Sequence, residues 1–140
     1  MRLALVALLA AGALSACSLP QPKSEVAGRY LAKNQLWVTS TGPGTFRVEP
    51  GPGTDDGPGS YWCAAGEFAQ VMLNQGATTQ MYRTSPPPRH TGQGMDFSLS
   101  PENAQKSGIV RFGNSGPGFS VGEATGSFCP IMPVVAFGGD

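Results

Sequence analysis

The stretch SYWCAAGEFAQVMLN, residues 60–74, decides the fold. Trp62, Ala65, Ala69 and Met72 recur at three- and four-residue steps, and Tyr61, Ala64, Phe68 and Val71 form an adjoining stripe. That is the period of a helix with a broad apolar face. Ser60 reads as its N-cap, and Asn74 with Gly76 as its stop. Glu67 and Gln70 mark the wetter side. The expected element is one main helix over about 61–74.

On its N-terminal side, Gln35–Thr41 (QLWVTST) is rich in residues that suit a pleated surface, and Thr45–Glu49 (TFRVE) alternates apolar and polar. Gly42-Pro43-Gly44 turns the chain between them, which predicts a hairpin. Residues 50–59, PGPGTDDGPG, offer nothing to build a core and read as an exposed loop. The triplet GPG recurs at 42–44, 51–53, 57–59 and 116–118, and its irregular spacing marks turns rather than a repeat.

On the C-terminal side, Thr78–Arg83, Met95–Leu99, Ile109–Phe112 and Phe119–Val121 read as short strands. Pro101–Lys106 reads as one helical turn, and Pro86-Pro87-Pro88 as a short polyproline segment. Phe128–Phe137 is apolar but broken by Pro130 and Pro133, which suits an edge strand or an extended cover. Strands on both sides of one helix predict an α+β domain with a small, mostly antiparallel sheet and Gly/Pro-rich loops.

Composition agrees: 20 glycines and 13 prolines in 140 residues, with only 13% charged, describe a chain of many turns and few long helices. Positive and negative side chains are equal in number, nine of each. Long-range attraction to nucleic acid has no basis in such a charge balance.

The N-terminus, MRLALVALLAAGALSAC, places Arg2 before an apolar run from Leu3 to Leu14, then Ser15, Ala16 and Cys17. This is the order of a secretory signal peptide, and the run is too short to span a bilayer as a permanent helix. Leu14-Ser15-Ala16-Cys17 resembles the lipobox of bacterial lipoproteins. The resemblance implies a signal peptide over 1–16, cleavage before Cys17 and acylation of that cysteine. Two or three acyl chains anchor stably, whereas one binds only marginally. Ser18 rather than Asp follows Cys17. By analogy with lipoprotein sorting, this favours the periplasmic face of the outer membrane over inner-membrane retention. Residues 17–28 then form the lipidated cysteine and tether, and 29–140 one domain.

With Cys17 acylated, Cys63 and Cys129 remain in an oxidising compartment, and a disulfide between them is the expected state. It closes a loop of about 67 residues, worth roughly 4 kcal/mol on the chain-entropy account. The rival role for Cys63 is that of a nucleophile. Placed in the first turn of the helix and paired with His90, the chain's one histidine, it would resemble the dyad of papain-like cell-wall hydrolases. Tyr82, Arg83, Arg89 and His90 form the densest polar and cationic stretch, a candidate surface for an envelope protein or an acidic glycan. Trp37 and Trp62 are expected in the core. Asp55-Asp56 is too few acids for a Ca²⁺ loop. Neither metal-ligand spacing nor a phosphate-binding motif is present, so no cofactor is expected. YWCAAGEFA, ATTQMYR and SPPPR, within roughly 59–100, are similar to small exported alphaproteobacterial proteins without an assigned function. The sequence thus predicts a lipid-anchored, non-catalytic binding or accessory module, with a thiol hydrolase or a purely structural envelope lipoprotein as alternatives.

Overall fold

The computed structural model describes residues 25–26, 28–52, 57–110 and 116–129. Its strands are β1 (Glu25–Val26), β2 (Arg29–Leu31), β3 (Trp37–Gly42), β4 (Thr45–Glu49), β5 (Gln80–Arg83), β6 (Met95–Ser98) and β7 (Gly118–Ser120). They form one open sheet in the order β1-β2-β3-β4-β6-β5-β7, and every pairing is antiparallel. The helices are α1 (Pro58–Val71) and α2 (Val121–Phe128). The fold is α+β.

The β3–β4 hairpin turns at Gly42-Pro43-Gly44 as expected, with Gly44 at φ 65°, a conformation glycine adopts without steric cost. α1 then carries the chain to β5. Because β4 and β5 are both antiparallel to β6, which lies between them, they run parallel to one another. Such a connection requires a crossover, and α1 supplies it. The strand pairing starts at Glu25↔Tyr30, inside the stretch read as tether.

One face of the sheet is apolar. Val38, Phe46, Val48, Met81, Met95 and Phe97 are at most 1% exposed and recur at every second strand position. α1 packs on this face, and all nine residues from Tyr61 to Ala69 are buried. A helix buried on every side cannot be covered by a sheet alone. The second cover is α2.

α2 corrects the sequence reading, which took Phe119–Val121 as a strand and Phe128 as the start of an extended segment. The strand ends at Ser120, and Ser120 caps a helix. Its hydroxyl accepts from the Glu123 N–H at 3.1 Å, and the Glu123 carboxylate accepts from the Ser120 N–H at 2.8 Å. This capping box satisfies two backbone donors at once. Residues 130–137 of the expected edge strand lie outside the described residues. Ile109 and Val110 are outside the sheet, and residues 111–112 lie outside the described residues. Pro101–Lys106 makes a turn at 102–103 with no helix.

α1 itself starts three residues earlier than expected. Gly57 is the N-cap, with no side-chain capping bond, and Pro58 is the first helical residue. Proline loses nothing there, because that N–H has no helical partner in any case. The last GPG-containing piece of the loop is therefore a helix start and not a turn.

α1 and α2 touch at Gly66. A Cβ built on Gly66 would lie 3.0 Å from Ala124 Cβ and 3.0 Å from Thr125 Cγ2. Gly66→Leu is expected to wedge the helices apart and lower stability by about 1–3 kcal/mol. Gly126 has nothing within 4 Å of its Cβ position, so Gly126→Ala is expected to raise stability by roughly 0.5–1 kcal/mol. Urea denaturation of the two variants checks both signs.

Candidate functional site

Cys63 and Cys129 form a disulfide, with Cα atoms 4.9 Å apart. It joins the second turn of α1 to the residue that follows α2. Because α1 starts at Pro58, Cys63 is not in the first turn, contrary to the sequence reading. The sulfur is buried and bonded, and His90 is exposed in the 84–94 connection between β5 and β6. The Cys63–His90 pair is not brought together. Asp55 and Asp56, like Cys17, lie outside the described residues. Among the described residues no group of three or more His, Cys, Asp or Glu side chains could hold a metal ion. No described helix is long and apolar enough to cross a membrane.

The cationic cluster divides. β5 alternates, so Tyr82 and Arg83 point to opposite faces. Tyr82 lies on the face away from α1, paired with Ser98 and Gly118 in register. That face also carries the two-pronged Arg47–Asp96 ion pair, at 2.7 and 2.8 Å. Half-buried Trp37, under the Arg29 guanidinium at 4.6 Å, is not in the core with Trp62.

Arg83 instead points toward α1 and is only 2% exposed. Its Nε donates to the Ser85 carbonyl at 2.8 Å and its Nη2 to the Pro86 carbonyl at 3.2 Å. No described carboxylate pairs with it. Burial, and then the nearby positive charge of Arg89, push Arg83 below its ordinary basicity. Arg89 lies over the Tyr61 ring at 4.3 Å and donates to the carbonyls of His90 and Gln93. Two arginines therefore converge near the start of α1, with no acidic residue in the helix's first turn. The helix N-terminus adds partial positive charge of its own.

Pro58, Arg83, Pro87, Pro88, Arg89 and Gly108 line a cavity of about 240 Å³. Pro87 and Gly108 also border a more open groove of about 530 Å³, whose other walls include Lys106, Ile109 and Val110. Val110 is 86% exposed, and Ser107 is held from below by the Trp62 indole, which donates to its carbonyl at 3.0 Å.

A second buried polar centre went unread in the sequence. Glu67, expected on the wet side of α1, is 7% exposed. Its Oε1 accepts from the Tyr30 hydroxyl at 2.5 Å, and its Oε2 from the Lys33 N–H at 3.2 Å. The partners lie in and just after β2, so the carboxylate ties helix to sheet edge. It faces no cavity lined by the arginines and reads as structural. The only sequence signal was an acid four residues after Cys63 in an otherwise apolar helix.

In comparisons with protein-family models, with curated proteins and with solved structures, no match to the chain is found.

Burial, the Glu67 hydrogen bond and the Glu67 charge all raise the Tyr30 pKa above its ordinary value of 10.0. Above pH 10 the unfolded chain loses this proton and the folded chain keeps it, so stability present below pH 10 falls as pH rises. Tyr30→Phe is expected to flatten that decline in urea midpoints measured between pH 8 and 11. Glu67→Ala leaves the Tyr30 hydroxyl and Lys33 N–H without their acceptor and is expected to cost about 1–3 kcal/mol at pH 7.

Proposed function

We propose that the chain is a lipid-anchored protein of the bacterial cell envelope whose folded domain is a non-catalytic binding module. The observation that carries this reading is the cavity at the start of α1, where Arg83 and Arg89 converge with no acidic residue among the described lining residues. Buried positive charge of this kind is costly to folding and is more at home in a site built for a partner. The adjoining groove, with Lys106 beside Ile109 and Val110, offers contact area of mixed character for the rest of that partner. An envelope protein or an acidic glycan fits this chemistry.

The disulfide supports the same choice over the thiol hydrolase, because a nucleophilic cysteine must carry a free thiolate. The lipobox resemblance at Cys17 supplies the membrane as the second partner, and Ser18 favours the outer membrane. No nucleic acid or cofactor enters this reading.

Two measurements test it. The intact protein, denatured and alkylated without reductant, is expected to gain no label at Cys63 or Cys129 by mass. A label at each would return Cys63 to the role of nucleophile and call for a cell-wall digestion assay. In a bacterial host, Cys17→Ser is expected to move the protein from the membrane pellet to the soluble fraction. Retention in the pellet would remove the lipid anchor.

A further inference from the structure

We propose that the cavity above Arg83 is a carboxylate-binding site, taking the acidic end of a ligand whose remainder lies along the Gly108–Val110 groove. The proposal rests on the binding-module reading and gives that module its ligand chemistry.

Arg83 is the centre of the argument. Its guanidinium is buried, two of its nitrogens are spent on backbone carbonyls, and Nη1 donates to none of the described residues. Nη1 faces Gly108. A Cβ built on Gly108 would come within 2.5 Å of Nη1, and Gly108 holds φ 82°, which side-chain-bearing residues rarely adopt. Glycine thus makes room for the one uncommitted nitrogen in the cavity wall, where a side chain would collide with it. A buried cation with a spare donor and a vacant space before it is complementary to an anion.

The walls choose the kind of anion. Pro58, Pro87 and Pro88 carry no N–H, so three of the six described lining residues can donate nothing. A phosphate presents more oxygens than so few donors can satisfy. A carboxylate has two oxygens and needs less. Lys106, at the mouth of the groove, adds a solvated positive charge along the approach.

The test uses the full-length protein purified from host envelopes in detergent, at constant ionic strength in chloride. Acetate, N-acetylalanine and galacturonate serve as probes, the last two separating a peptide terminus from a sugar acid. Each carboxylate is expected to raise the melting temperature saturably, and the better source is the one that binds more tightly. Arg83→Met is expected to weaken binding at least about tenfold, the size of one charge-assisted hydrogen bond. If that variant does not fold, the Arg83 side-chain ¹⁵N resonances of the wild-type protein provide the reading, and they are expected to move on titration with acetate. No saturable effect beyond chloride, a larger effect from phosphate, or unmoved Arg83 resonances would overturn the proposal. An intact disulfide and membrane anchoring alongside those results would confine the failure to this site, whereas labelled cysteines would remove the binding-module reading itself.

Discussion

The structure depends on covering α1. Nine consecutive residues of this helix are buried, and no single surface can enclose a helix on all sides. The sheet takes one flank and α2 the other. Gly66 lets the two helices approach to a distance at which even a methyl group would crowd Ala124 and Thr125, and Cys63–Cys129 fixes that approach covalently. The aromatic core follows the same geometry. Trp62 projects from α1 and meets Phe97 and Phe119 edge-on, at 4.9 and 4.7 Å between ring centres. With the helix enclosed, Glu67 cannot reach water, and Tyr30 with the Lys33 N–H answers it instead.

The same enclosure explains the electrostatics. Met81 and Arg83 share the sheet face that α1 covers, so the chain places a guanidinium where its neighbours are apolar. Ser85 and Pro86, just beyond the strand, fold back to meet it with their carbonyls. Those carbonyls satisfy directional needs, and among the described residues no carboxylate pairs with the charge. Among the described residues, core order and local charge balance conflict at Arg83, and such conflicts gather where a protein has work beyond folding.

Much of this was legible in the sequence. The hairpin at 42–44 follows from turn chemistry, the main helix from its 3.6-residue period, and the disulfide from the two cysteines that remain once Cys17 is read as a lipidation site. The separation of Tyr82 from Arg83 was equally legible, since adjacent strand residues face opposite sides, but chain proximity masked it. α2 left the signal Ser120-x-x-Glu123, a capping box, outweighed by Gly122 and Gly126 inside a short segment. The burial of Glu67 was not legible, because its partner Tyr30 lies 37 residues away. Nor was the early start of α1, since Gly57-Pro58 serves a turn or a helix start equally well until tertiary contacts choose.

Arginine in the cavity also fixes how acidity affects it. The guanidinium keeps its proton from acidic to mildly alkaline medium. The chain's one histidine, His90, does not line the cavity. Among the described lining residues, none changes charge between mildly acidic and mildly alkaline medium. For a carboxylate bound there, sensitivity to acidity would reside in its own carboxyl group, which is ionised until the surroundings approach about pH 4. The charge of this cavity wall is thereby fixed by covalent chemistry rather than by the surrounding medium.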